Sequence, residues 1–161
     1  MAVRHRLIRR PPEAVWAVLA DGSRYGEWVV GPDASREDGS DWPRLGATIE
    51  YTIRLGPWSG SGKTTVRDVE PPHRIELEAD SGRLGTARIA IEVRPWGEHT
   101  LVVVDEHPLR GPGGHLHNAA FDALLQLRHR RMLGRLAEVV ERSPRAPGER
   151  PRPQPGASSR A

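Results

Sequence analysis

Cysteine is absent from the 161 residues, which excludes a disulfide framework, thiolate-bound zinc, iron–sulfur ligation and a cysteine nucleophile together. Lysine is almost absent: Lys63 is the only one, and arginine supplies the other basic groups, a mark of GC-rich coding rather than of a binding adaptation. No run approaches the ~18 apolar residues of a membrane-spanning helix. The longest apolar stretch near the start, residues 14 to 20, sits at the lower limit of a signal-peptide core and is cut off from the basic start by Pro11, Pro12 and Glu13. The expected location is therefore the cytoplasm. A basic domain face is missing too. The formal charge is +3, but residues 143 to 161 hold Arg145, Arg150, Arg152 and Arg160 against Glu149, so the tail carries the whole excess and the body is neutral. Nucleic-acid binding needs the positive charge on the fold itself, so no nucleic-acid partner is expected.

What is present suits one domain. Hydrophobic residues make up 37% and glycine adds 17 residues, and a chain of this size buries roughly 70% of its unfolded surface without a metal or cross-link. Val3 to Arg9 alternates as a first strand. Pro12 suits the first turn of a helix whose stripe is Val15, Val18 and Leu19. Asp21-Gly22 stops that helix, and Ser23 offers a cap for a short second one carrying Tyr25 and Trp28. Residues 31 to 46 read as loop. Strand signals then recur: Ile49, Tyr51, Ile53 and Leu55; Thr64 to Val69; Ile75, Leu77 and Ala79; Ala87, Ile89, Ile91 and Val93; and Leu101 to Val104, which is apolar on both sides. The short connections imply antiparallel neighbours in a meander. Trp42, Trp58 and Trp96 adjoin loop prolines and glycines and read as caps on the sheet edges.

One long helix is predicted over residues 115 to 142, with Phe121, Leu125, Met132, Leu136 and Val139 on one stripe and Leu133 and Val140 beside it. Leu116, Ala120, Ala123, Leu124 and Leu127 fall on the other side of its first half, so the first helix or a second chain, as a homodimer, must cover them. Five prolines in residues 143 to 161, with no apolar period, read as a disordered tail whose removal leaves stability unchanged. The expected division is a domain at 1–142 and a tail at 143–161.

This order is α+β: a curved antiparallel sheet wrapped around a long C-terminal helix, with two short helices after the first strand. The segment from Pro11 to Asp21 (PPEAVWAVLAD), then Tyr25-Gly26-Glu27-Trp28, the Val69 to Arg74 turn and the C-terminal helix resemble the START/Bet v1-like (SRPBCC) superfamily, in its polyketide cyclase/dehydrase-like group. The resemblance covers residues 1 to about 142. It implies a helix-grip fold and a cavity between sheet and helix for a small hydrophobic, polyketide-like or lipid-like, ligand. The implied activity is cyclisation or dehydration if the protein is an enzyme, and the rival class is a non-catalytic carrier or regulatory partner. These motifs specify the scaffold far better than the activity.

On that reading the ligand-binding residues are Trp28, Tyr51, Ile53, Leu77, Ile89, Ile91, Asn118, Phe121, Asp122, Leu125 and His129. Asn118, Asp122 and His129 are polar groups on or beside the buried stripe, and a buried polar group needs a partner. The catalytic candidates are Glu106 and His107 at the end of the last strand, of which at most one looks inward because neighbours on a strand face opposite ways. No metal and no cofactor are expected. His107, His115 and His117 lack a carboxylate at zincin spacing and read as histidines of a glycine-rich loop. The stretch from Gly56 to Thr65 resembles a phosphate loop, but Pro57 stands where its first glycine belongs, and a β-branched run follows in place of a helix.

Overall fold

Strand β1 (Ala2–Ile8) ends before two prolines. Pro12, with no amide hydrogen to satisfy, opens helix α1 (Pro12–Leu19), which buries Val15, Val18 and Leu19 at helical spacing. The structure, a computed structural model, describes residues 2–29, 32–37, 41–55, 57–80, 82, 86–110, 119–147 and 149. Beyond α1, a 3-10 turn (Gly22–Arg24) leads into α2 (Tyr25–Trp28). Ser23 does not cap α2, which has no side-chain cap; Asp21 instead caps the 3-10 turn, its carboxylate accepting from the Ser23 amide at 3.1 Å. Strands β2 (Pro32–Glu37), β3 (Thr48–Leu55), β4 (Trp58–Glu70), β5 (Arg74–Asp80), β6 (Thr86–Trp96) and β7 (His99–Arg110) follow, and α3 (Ala119–Arg142) closes the domain.

The strands form one antiparallel sheet in the order β1-β7-β6-β5-β4-β3-β2. This is the α+β helix-grip arrangement, with three differences in detail. Residues 32–37, expected as loop, are an edge strand paired with β3. Their sequence PDASRE shows no apolar alternation, and backbone pairing alone defines the strand. Strand β4 begins at Trp58, so Ser59 to Lys63 form a paired strand opposite Arg54 to Glu50, with no phosphate-loop helix after them. Strand β7 runs past Glu106 and His107 to Arg110. Residues 111 to 118, including His115, His117 and Asn118, lie outside the described residues. No described helix is long and apolar enough to cross a membrane.

Strand alternation divides the faces. Ile75, Leu77, Ala79, Ile89, Ile91, Val93, Val102 and Val104 point inward and are buried together with Ile8, the α1 stripe, and Met132, Leu133, Leu136, Val139 and Val140 of α3. The outer face carries paired charge: Arg67 with Glu78 (3.0 Å), Arg88 with Glu76 (3.1 Å), and Arg74 with both Asp68 and Glu76. The Arg67 hydrogen bond holds the Glu78 carboxyl below the ordinary carboxylate range.

The first residues after α3 depart from the expected disordered tail. Arg10, buried to 3% exposure, donates to the carbonyls of Val140 (2.7 Å), Ser143 (2.9 Å) and Pro144 (3.3 Å) and pairs with Glu149. Composition gives no apolar reason for this segment to pack. A buried guanidinium supplies the reason, since it needs acceptors, and the end of a helix has carbonyls to spare.

Candidate functional site

Burial along β7 decides which of the two candidates enters the interior. Val102, Val104 and Glu106 share one face of β7 and are buried, with Glu106 at 4% exposure. Asp105 and His107 share the other face and pair with each other, His107 Nε2 to Asp105 Oδ2 at 3.1 Å. The two catalytic candidates therefore stand on opposite sides of the sheet, and only Glu106 faces α3. Its partner there is His129, 1% exposed, whose Nε2 hydrogen-bonds Glu106 Oε2. Nδ1 of His129 is buried with no hydrogen-bond partner among the described residues.

The path of α3 places this pair. Near the helix end, Glu141 accepts from the Arg9 amide at 3.1 Å and Val140 from Arg10, while Thr100 Oγ1 donates to the Arg10 carbonyl at 2.8 Å. The far end of the same helix segment meets Glu106. Going back from Val140 to His129 covers ~17 Å of helix, and going from Thr100 to Glu106 covers ~20 Å of strand. Helix α3 thus runs antiparallel to β7, and residues 119–128 extend ~15 Å further, over the sheet end beyond Glu106.

At that end the inner face changes character. Around Ile75, Ile91, Val102 and Val104 it is large and branched, whereas an adjoining cross-strand row is Ala87, Ala79 and Thr64, and Gly62 beyond it lies under the ring of its partner Tyr51. On the β3–β4 side, Tyr51 stacks on Tyr25 (centroids 6.3 Å apart, 26° between planes), and Tyr25 Oη and Thr64 Oγ1 are hydrogen-bonded at 2.6 Å. Tyr25 also meets Trp28 and Trp42 edge-on, at 5.4 and 6.0 Å. The indole N–H of Trp28, a buried residue, has no partner among the described residues.

Of the residues that the sequence marks as ligand-binding, Trp28, Tyr51, Leu77, Ile89, Ile91 and His129 are buried in this interior. Ile53 is in β3, and Phe121, Asp122 and Leu125 are in α3, but their side chains, like the whole of Asn118, lie outside the described residues. Sequence reasoning misses further participants. Tyr25 and Thr64 are joined across 39 residues, a pairing that no local pattern announces. Trp42, expected to cap a sheet edge, donates its indole N–H to the Leu19 carbonyl at 3.0 Å and so closes the end of α1. Gly62 stands between strand residues, where a glycine marks a close approach, and that signal could have found it.

A protein-family comparison decides the relationship. The model described as "Polyketide cyclase / dehydrase and lipid transport" matches residues 2–141. The chain belongs to that family. Solved structures agree on the fold. Protein CV1439 from Chromobacterium violaceum is 17% identical with a TM-score of 0.68, over 88% of this chain and 98% of its own. TTHA0849 from Thermus thermophilus is 17% identical with a TM-score of 0.65, over 87% and 96%. DynU16, from the dynemicin biosynthetic locus, is 21% identical with a TM-score of 0.64, over 88% of this chain and 47% of its own. None of the curated proteins compared matches the chain. Within this family the fold is one that binds hydrophobic ligands.

Proposed function

We propose that this protein takes up a small, largely apolar molecule between the inner sheet face and the first half of α3, and presents one polar group of it to the Glu106–His129 pair. The observation that carries the reading is that pair: a carboxylate and an imidazole placed in a largely apolar interior, beside the small side chains of Thr64, Ala79 and Ala87. Burying two such groups is unfavourable unless they are used or fully bonded. Leu77, Ile89, Ile91, Tyr51 and Trp28 supply the apolar and aromatic wall, and the Trp28 N–H, unpartnered among the described residues, offers a second polar contact. Positions 122, 125 and 129 recur at helical spacing, so Asp122 and Leu125 belong to the same helix face as His129.

A polyketide-like ligand and cyclisation or dehydration chemistry is the finer reading. The family description supports it, and so does a protein of this fold from a biosynthetic locus. In such chemistry the protein folds a flexible chain into a reactive conformer, and a wall group moves protons. Lipid transport, also in the family description, favours a carrier as the second reading. The fate of the ligand separates the two. Native mass spectrometry of protein purified without detergent, followed by solvent extraction, should reveal a bound apolar molecule. A carrier returns it unchanged and an enzyme returns a product of different mass or connectivity. Protein that emerges empty and takes up no apolar probe would defeat both readings.

A further inference from the structure

The Glu106–His129 pair says more than that something polar binds here. A carboxylate only accepts hydrogen bonds, so the shared hydrogen resides on His129 Nε2. The tautomer of a histidine is set by the bond that its other nitrogen makes. Helix α3 and strand β7 hold the two residues 23 positions apart in sequence and bury both. Nδ1 is then the nitrogen left to act, and it is the one without a partner among the described residues.

Resting on the cavity reading above, we propose that Glu106 fixes His129 with Nδ1 as a buried lone pair, and that the ligand is a hydroxyl-bearing molecule, a phenol or an enol, whose O–H is directed at that nitrogen. Two features fit such a ligand better than a fatty-acid carboxylate or another anion. The pair already holds a buried carboxylate, which would repel a second anion. A planar hydroxyaromatic also suits an interior walled by Tyr51 and Trp28. The arrangement permits a proton step that balances without any other reactant. The ligand O–H bond breaks, its electron pair stays on oxygen, and the hydrogen bonds to Nδ1. The result is an enolate or phenolate beside an imidazolium that Glu106 neutralises, and the proton can return to an oxygen of the product. His129 would be the catalytic residue and Glu106 a positioning residue.

Two naphthalenes test the inference: 2-naphthol, which has one O–H to give, and 2-methoxynaphthalene, which has the same ring and none. The parent protein should bind the naphthol about tenfold more tightly, the usual range for one buried hydrogen bond. His129→Gln keeps a donor for Glu106 but has no ring lone pair, and Glu106→Gln can itself donate to Nε2 and reverse the tautomer. Both variants should lose the preference. Nitrogen-15 NMR of histidine-labelled free protein at about pH 8.5, well above the ordinary imidazole range, reads the tautomer directly, with His129→Gln assigning the signal. A proton on Nε2 and none on Nδ1 is expected, and any proton on Nδ1 overturns the inference. Equal affinity of the parent for both compounds overturns it while leaving the cavity standing. Failure of both to bind defeats the cavity and this inference together. If either variant does not fold, the two measurements on the parent still decide.

Discussion

Gly62 owes its identity to the ring of Tyr51, its cross-strand partner. A Cβ at position 62 would lie 2.6 Å from Tyr51 Cζ and 2.7 Å from its hydroxyl oxygen, far inside contact distance. The ring is buried and stacked on Tyr25, so it has no cheap way to move aside. Gly62→Ala should therefore destabilise the domain by about 1–3 kcal/mol, the usual range for overpacking, as read from denaturant midpoints. In a Tyr51→Leu background the same change should be nearly neutral, and additive losses would show that the ring is not the cause. At this scale the sequence is only half legible. Alternation puts either Glu106 or His107 inside, but Leu101 to Val104 is apolar on both faces, so parity alone does not choose. Burial chooses Glu106, and its bond to His129 depends on how a helix crosses a strand, which no local pattern encodes.

At the scale of elements, Arg10 ties three pieces of chain together. It lies between β1 and α1, caps the end of α3 and fastens the segment that follows to the body. Composition makes residues 143 to 161 look dispensable, whereas these contacts give the opposite outcome for their first part. Deleting 143–161 should lower the melting temperature by several degrees, because Arg10 keeps its burial and loses the acceptors at Ser143, Pro144 and Glu149. Deleting only 150–161 should leave it unchanged, since these Arg10 contacts survive. Arg10→Ala should cost about 2–4 kcal/mol, because the carbonyls and Glu149 it serves are left unbonded; a loss below about half a kcal/mol in chemical denaturation would mean that water replaces it freely.

The same latch is sensitive to acid. The hydrogen bond from Arg10, aided by its charge and by the Ala146 amide and opposed by burial, holds the Glu149 carboxyl below the ordinary carboxylate range. A carboxyl with a lowered folded-state pKa contributes stability that is complete above its unfolded value, about 4.3, and is lost as pH falls through the folded one. A spin label at position 146 should be immobile at neutral pH and loosen only in acid below the ordinary carboxylate range, while Glu149→Gln should be loose at neutral pH as well. A label that stays fixed in acid would place the anchor elsewhere.

Across the whole molecule, the fold is readable because strand alternation, turn residues and one amphipathic helix agree with one another, and a stretch such as β2 escapes because pairing alone defines it. The site is less readable because it runs against the rule that fills interiors with apolar groups, and that conflict yields a last prediction. Replacing His129 alone by Leu leaves the Glu106 carboxylate buried without the imidazole and should destabilise the domain by about 3–5 kcal/mol. Replacing both, Glu106→Leu with His129→Leu, removes two desolvated polar groups and joins the apolar positions Ile89 and Leu77 of the same cross-strand row. Isosteric apolar replacement of a buried pair is often neutral or favourable, so the double variant should melt at or above the parent temperature. Its hold on a hydroxyl-bearing ligand should fall to that of the methoxy analogue. A double variant that is much less stable than the parent would mean that the pair is there for the architecture; a double variant that is stable and no longer discriminates would mean that the chain keeps the pair, at some loss of stability, for what it binds.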